Sequence, residues 1–429
     1  MIRRPALILA LLTSLNLLNF VDRYVLAAVL PKVRDELGLS NFVSGLMATV
    51  FLVGYFTTSP VFGFLADRGR RTWLITFGIV VWSMATFASG LATSAVTMLL
   101  TRAIVGVGEA SFTAIAPTII DDVAPDEKKG RYLSVFFVAQ PLGAAMGYLI
   151  GGAIEHRYGW RYAFFLAGVP GVLLALSCLL IAEPEKKEPR TRPDILQSFS
   201  QLWGSRYYRR ALLGYCAYTF AIGGFSYWAP TFLSDEFKIS LSTANFRFGL
   251  LTVLGGAVGT FVGGFLADRM QKKAVASLPP EGPRADVPYR ASAAPEEDSP
   301  QKVRAQLQAL LRLCAWGSLL GTPIAALCFL SPSANGFFVA VLFCETALFL
   351  STSPINAVLL KSVPAHLRAS AMALAIFAIH LFGDLWSPPF VGLLADHLPR
   401  RLAMLSLAVA IGLSGVLWWP RRKDGELPP

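Results

Sequence analysis

The stretch Asn16-Leu17-Leu18-Asn19-Phe20-Val21-Asp22-Arg23 puts two amides, a carboxylate and a guanidinium inside a long apolar run. A charge within a membrane-length segment is costly. It persists where it faces a bundle interior or a watery cavity and has a partner. The sequence offers two partners on one later apolar segment, Arg102 and Glu109. At ~1.5 Å per residue they stand ~10.5 Å apart along a helix, nearly two turns, so they share a face, with Gly106 between them giving open space. Counting inward from the segment ends puts Arg102 ~10 Å deep, Asp22 ~13 Å and Glu109 ~20 Å. An Asp22–Arg102 pair is therefore expected. Asn16, Asn19 and Arg23 extend a polar stripe along the first segment. Two acids beside two arginines suit reversible proton uptake. Low dielectric favours a neutral carboxyl and an adjacent arginine favours its ionised form, so a changed contact moves a proton. On this reading Asp22 and Glu109 carry proton coupling, and Arg23 or Arg102, with Asn19, binds an anionic head group, phosphate or carboxylate. The alternative is a static buried ion pair that fixes helix packing.

The second half of the chain is less polar. Glu345 falls in the middle of an apolar segment, and His380 and Asp384 are one helical turn apart. His380 is either a pH-sensitive partner of Asp384 or a hydrogen-bonded core residue. Tyr215, Tyr218, Phe225, Tyr227 and Trp228 crowd another segment. Aromatic residues on membrane helices serve packing and interfacial belts; here they can also form an apolar wall for an acyl chain. Tyr215, Tyr218, Tyr227, Glu345, His380 and Asp384 are therefore expected on the cavity wall opposite the charged stripe.

What must position these residues is a set of membrane helices. Of 429 residues 54% are hydrophobic and only 15% charged, with mean hydropathy +0.54. Apolar windows of about 20 residues recur along the whole chain, each long enough to cross a ~30 Å hydrocarbon core. We expect an all-α membrane protein of twelve spans, at roughly 6–33, 41–66, 72–93, 96–122, 129–154, 161–182, 209–234, 243–267, 304–330, 335–361, 366–391 and 400–419. The first segment runs on through Asp22 with no small-residue cleavage site, so no cleavable signal is expected. The net charge of +11 reflects topology rather than nucleic-acid binding. Most Lys and Arg fall in segments that lie on one side, which puts both termini in the cytoplasm. The five cysteines lie in apolar segments at no ligand spacing, as small core residues. A polar linker, 183–208, carries a short amphipathic helix at 195–203 and divides residues 1–182 from 209–423, six spans each. A loop at 271–303, rich in Pro, Ala and charge, is expected to be disordered.

The halves repeat. Gly63-Phe64-Leu65-Ala66-Asp67-Arg68 recurs as Gly264-Phe265-Leu266-Ala267-Asp268-Arg269, and Asp35-Glu36 recurs as Asp235-Glu236. Pro125 with Lys129 recurs as Pro364 with Arg368. Such repeats mark transporters whose substrate site lies near the midplane between the halves. The glycine of each loop motif would let a neighbouring helix approach closely. Its Asp and Arg, at the membrane edge, can cap a helix N-terminus and pair with basic residues. Asp67, Arg68, Arg71, Lys129, Arg131, Asp268, Arg269 and Arg368 are thus expected to latch the halves together on the cytoplasmic side.

These loops, the 6+6 repeat and Leu99-x-x-Arg102-x-x-x-Gly106 resemble the major facilitator superfamily over essentially the whole chain. Asn19-Phe20-Val21-Asp22-Arg23, Arg102 to Ser111, Ala116-Pro117-Thr118 and Pro141-x-Gly143-x-x-x-Gly147-Tyr148 resemble its spinster branch. That resemblance implies transport of sphingosine-1-phosphate or lysophospholipids. The Asp-Arg pair and Glu109 are also similar to proton-coupled organic anion symporters. The sequence departs from the loop pattern where Gly69 comes one place early and Arg70 takes the usual glycine position; the second copy has Met270-Gln271 there.

No nucleotide loop, metal cluster or nucleophile–base arrangement is visible, and Gly106-x-Gly108 opens no strand-to-helix turn. The expected protein is not an enzyme. It is a secondary transporter working by alternating access on a proton gradient, without a cofactor, as a monomer among membrane lipids. Its cargo is an amphipathic anionic lipid or, alternatively, a small organic anion of the sugar-acid type; a transporter-fold receptor is a further alternative. Short outer loops without a disulfide framework suit a bacterial inner membrane.

Overall fold

A computed structural model of the chain describes residues 2–125, 128–183, 195–279 and 299–421. Six helices form the first half: α1 (Pro5–Glu36), α2 (Asn41–Arg68), α3 (Arg71–Ser89), α4 (Ala95–Val123), α5 (Lys129–Tyr158) and α6 (Trp160–Cys178). The short α7 (Ile195–Gly204) precedes the second half, α8 (Arg206–Phe237), α9 (Leu241–Ala276), α10 (Pro300–Leu330), α11 (Ala334–Phe349) continued by α12 (Thr352–Lys361), α13 (Arg368–Ile379) continued by α14 (Ser387–His397), and α15 (Arg400–Trp418). A π-helical turn, His380–Asp384, joins α13 to α14. Eleven of these runs are long and apolar enough to cross a membrane. The remaining long helix, α8, has 32 residues; its tyrosines and terminal charges lower its hydropathy, yet it packs centrally against α15.

The helix boundaries follow from local chemistry. Ser40 caps α2 by accepting from the Val43 N–H, and Ser240 caps α9 by accepting from the Thr243 N–H, both at 3.2 Å. Two residues earlier in each copy the backbone turns through the left-handed region, at Gly38 (φ 61°) and Lys238 (φ 55°). Glycine tolerates that turn without a steric cost, and the lysine does not. The repeat therefore extends to turn geometry that the residue types only half reveal. Ser94 and Thr97 form a capping box at the start of α4.

The loop expected to be disordered at 271–303 is shorter than that. α9 runs on to Ala276 and α10 begins at Pro300, capped by Ser299; residues 280–298 lie outside the described part, as do 184–194 of the linker. The glycines of the loop motifs do not mark close approach: no atom lies within 4 Å of where a Cβ would stand on Gly63 or Gly264. Close approach belongs to glycines deeper in the helices. A Cβ on Gly54 would stand 2.3 Å from the Ala103 carbonyl oxygen, and one on Gly106 2.0 Å from that of Phe51. These seat α2 against α4. Gly106 thus opens no space between Arg102 and Glu109, because the α2 backbone occupies it.

The halves meet mainly through α2 against α14 and α5 against α9. Their polar bridges cluster at the end where α1 finishes and α2 begins, opposite the face where the chain's first helix starts. There Arg34 Nη1 lies 2.7 Å from Asp235 Oδ2, which Arg400 also approaches at 3.3 Å. Asp396, at the end of α14, accepts from the backbone N–H groups of Asn41 and Phe42 at 2.8 and 2.9 Å. It thereby caps the N-terminus of α2 from the other half. Asn245 Nδ2 donates to the Ala28 carbonyl at 2.8 Å, and Tyr227 donates to that of Ser44.

Candidate functional site

Between the halves lies a cavity of about 1140 Å³. It reaches from Tyr227 and Pro388, beneath the bridged end, to Ser59, Pro117 and Phe137 towards the opposite face. Its deep polar wall comes from α1 and α4. Asp22 is fully buried, with Arg102 Nη1 3.5 Å from its Oδ1, as the depth argument expected. The hydroxyl of Thr86, on α3, donates to Asp22 Oδ2. One residue along, Arg23 Nε donates to Glu109 Oε2 at 2.6 Å, and Glu109 is completely buried. Each arginine therefore holds its own carboxylate; the sequence pairs Arg102 with Asp22 but does not pair Arg23 with Glu109. Consecutive residues on α1 point about 100° apart, and two acids and two arginines in low dielectric are stable only when each charge has an opposite neighbour.

Phe51 organises the guanidiniums. Arg23 stands 5.1 Å and Arg102 5.4 Å from the centre of its ring, and Arg23 also faces Phe20 at 4.9 Å and Tyr55 at 5.3 Å. Cation–π attraction of this kind strengthens where water is excluded. Arg23 keeps 21% of its side-chain exposure and lines the cavity, as does the mostly buried Arg102. Asn16 lines it too, donating to the Phe136 carbonyl at 2.9 Å. Asn19 does not: it is fully buried behind the wall, which places it away from a head group. Thr113 donates to the Tyr55 hydroxyl at 2.7 Å on the cavity rim. Phe51, Tyr55, Thr86 and Thr113 escape a reading of charges alone; the available signal is the four-residue step from Phe51 to Tyr55, which puts both on one face of α2.

On the second half, Tyr227, His380 and Asp384 line the cavity. His380 Nδ1 lies 2.9 Å from both Asp384 carboxylate oxygens, inside the π-helical turn. Gly223 permits that turn to approach α8, since a Cβ there would stand 2.4 Å from the Asp384 Cβ. Tyr215, Tyr218 and Glu345 are not on the wall. Tyr218 is buried within its half, donating to the Leu348 carbonyl at 3.1 Å, with Tyr215 packed against it. Nine residues separate Tyr218 from Tyr227, about two and a half turns, so they face opposite sides of α8. Glu345 is buried between α11 and α9, where it accepts from Thr252 at 2.9 Å. Apolar side chains complete the wall, with Phe56, Phe136, Phe137, Ile376 and Phe377 prominent. Phe56 meets Phe377 edge to face at 5.9 Å across the halves.

Four of the loop residues expected to latch the halves, Arg68, Arg71, Lys129 and Arg368, make local contacts in this conformation. Arg71 binds Asp122 Oδ2 at 2.6 Å and Glu183 Oε1 at 3.4 Å, and Lys129 lies 3.6 Å from Asp121, all within the first half. Arg368 donates to the Leu360 carbonyl within the second, and Arg68 lies over the Phe64 ring of its own helix. Arg131, Asp268 and Arg269 lie on the same face of the protein, as does Asp67. Among the described residues, ion pairs between the halves are seen at the opposite end, where Arg34 meets Asp235, and these help to close that end.

Residues 12–278 match the Major Facilitator Superfamily family model. The chain is 29% identical to a probable sphingolipid transporter, spinster homolog 3 of Arabidopsis thaliana, over 97% of this chain and 84% of the relative. It is 31% identical to protein spinster homolog 1 of Homo sapiens, over 93% and 74%. The fold is that of a crystallised bacterial homolog of the human lysosomal transporter Spinster in an inward-facing, unoccupied conformation, with TM-score 0.80 at 22% identity over 98% and 97% of the two chains. A D-xylose–proton symporter shares the fold less closely, with TM-score 0.71 at 17% identity over 97% and 98%. Two six-helix halves around a central cavity, with a buried Asp–Arg pair between α1 and α4, thus belong to an integral, multi-pass membrane transporter of the major facilitator superfamily, in its spinster-like branch.

Proposed function

We propose that the protein moves an amphipathic anionic lipid, of the lysophospholipid or sphingosine-1-phosphate type, by proton-coupled alternating access. The observation that carries this reading is the cavity's division. Two guanidiniums stand at its deep end, and an apolar stretch that includes Phe56, Phe136, Phe137, Ile376 and Phe377 lines another part, over about 1140 Å³. An ionic head group suits the first region and a single acyl chain the second. The second half does offer hydrogen-bonding groups in Thr219, Ser226, Tyr227, His380 and Asp384, which a small organic acid could use, but Ala373, Ile376 and Phe377 with Phe56 and Phe137 add an apolar stretch that such a cargo leaves unfilled. The spinster relatives named as sphingolipid transporters agree with a lipid cargo.

In this mechanism Glu109 and Arg23 neutralise one another while the site is empty. A proton taken up by Glu109 cancels the carboxylate and leaves the Arg23 cation for the head group. Proton and anion then bind cooperatively, since each favours the state the other needs. Asp22 and Arg102 form the second such pair. The distribution of Lys and Arg supports a cytoplasmic orientation for the open face, and the likeness to a bacterial homolog supports a bacterial inner membrane. When the halves rock the other way, Asp67, Arg68, Asp268 and Arg269 would come together with Lys129, Arg131 and Arg368 as the inner latch. No cofactor beyond the proton gradient enters.

The test is uptake by purified protein in proteoliposomes, using lysophosphatidylglycerol, sphingosine-1-phosphate and gluconate, each with and without an inward proton gradient. Gradient-stimulated uptake of either lipid supports the proposal. Uptake of gluconate alone overturns the lipid assignment, and uptake indifferent to the gradient overturns the coupling.

A further inference from the structure

We infer that Thr86, on a helix that does not line the cavity, is the positioning residue that governs when Asp22 exchanges its proton. Asp22 is packed where α1, α3 and α4 meet. Arg102 approaches Oδ1 at 3.5 Å, the reach of an ion pair. Oδ2 is turned away towards α3, where the Thr86 hydroxyl donates to it. Thr86 is completely buried and Asp22 nearly so, so water does not substitute for the hydroxyl. The charged groups that act on this pair are Arg102 and Glu109 from α4 and Arg23 from α1; Tyr55 from α2 stands beyond them against Arg23, and Tyr24 from α1 packs on Tyr148 from α5. Among the described residues at this depth, α3 and α6 bring none.

The chemistry is that of a donor fixed on one oxygen of a carboxylate. A hydrogen bond to the ionised form favours that form. It also holds the carboxylate plane, so that the other oxygen faces Arg102. Because α3 packs against α4 and α6, the donor stays with its half when the halves rock. Thr86 therefore sets a constant bias on Asp22, while contacts that open and close with the cavity supply the variable part. The inference rests on Asp22 as a proton-coupling carboxylate.

The test is infrared difference spectroscopy of the full-length protein in detergent during a pH titration, which needs no substrate. The protonated-carboxyl band of Asp22 is identified by its loss in Asp22→Asn. In Thr86→Val, which keeps the shape and removes the hydroxyl, that band should persist about one pH unit further towards alkaline conditions. Thr86→Ser, which restores a donor, should titrate as the wild type does. If Thr86→Val does not fold, Thr86→Ala carries the same comparison. An unmoved band in the hydroxyl-free variant overturns the proposal, as does a shift in Thr86→Ser equal to that in Thr86→Val. If Asp22→Asn removes no titrating band at all, Asp22 is not a proton carrier, and the coupling role of Asp22 fails separately from the role of Thr86.

Discussion

Arg23 Nε sits 2.6 Å from Glu109 Oε2, one residue along α1 from the Asp22–Arg102 pair at 3.5 Å. Neighbours on one helix thus choose partners seven residues apart on another, and four charges cancel in place. Removing one member of a buried pair leaves the other uncompensated. Glu109→Ala should lower stability by about 3 kcal/mol. The double variant Arg23→Ala/Glu109→Ala should lose less than Glu109→Ala alone. Thermal unfolding in detergent checks this, and losses that simply add would show that the two side chains are not coupled.

Two glycines give a contrast within one helix pair. Gly106→Ala forces a methyl to within 2.0 Å of the Phe51 carbonyl oxygen. It should destabilise by about 1–3 kcal/mol through overpacking and displace the ring between the two arginines. Gly63→Ala meets no atom within 4 Å and should be neutral or gain up to about 1 kcal/mol from helix propensity. Unfolding midpoints of the two variants, measured side by side, settle the difference.

The end that is closed depends on carboxylates shared between halves. Asp235 bridges Arg34 and Arg400, and Asp396 caps α2. Replacing both with alanine removes charge-assisted bonds from this state alone, and should raise the population open at that end about tenfold or more. Spin labels placed at the ends of α1 and α8 report the change as a longer distance component. An unaltered distance distribution would mean that apolar packing, not these carboxylates, holds the end shut.

Glu183 illustrates a pH effect outside the spans. Its partial burial disfavours the charged form. This is outweighed by hydrogen bonds from the Thr72 hydroxyl and the Thr72 and Arg71 N–H groups, which hold its carboxyl below the ordinary 4.5. A carboxylate lowered on folding stabilises the protein above its unfolded value, and the contribution is lost as pH falls through the folded value. Glu183→Gln should therefore be less stable than wild type at neutral pH, with the gap closing below about pH 4.5. A gap independent of pH would remove the carboxylate from that role.

Much of this arrangement was legible in the chain. Charges in membrane-length segments betray a site, depth arithmetic pairs Asp22 with Arg102, and the repeated loops announce two halves. Helix rotation was harder. Depth along an axis does not say that Arg23 turns to Glu109, nor that Asn19 faces away from the cavity. The opposite facing of Tyr218 and Tyr227 does follow from their spacing, but choosing which side meets the cavity needs the packing of α15 and α11 behind α8. The repeated Asp35-Glu36 and Asp235-Glu236 show the limit most clearly. Glu36 accepts from Trp160 at 2.6 Å and Glu236 from Arg401 at 2.6 Å, alike within each half. Asp235 crosses between halves, whereas Asp35 stays beside Arg34. Sequence symmetry does not say which copy is used for the gate.

Proton movement during lipid uptake by Glu109→Gln proteoliposomes tests the coupling most directly. Lysophosphatidylglycerol uptake and internal pH are followed together in wild type and variant. Coupling through the Arg23–Glu109 pair predicts that lipid entry acidifies wild-type vesicles, and that the variant moves lipid without that acidification or with its pH dependence lost. Equal acidification and an unchanged pH profile in the variant would contradict it.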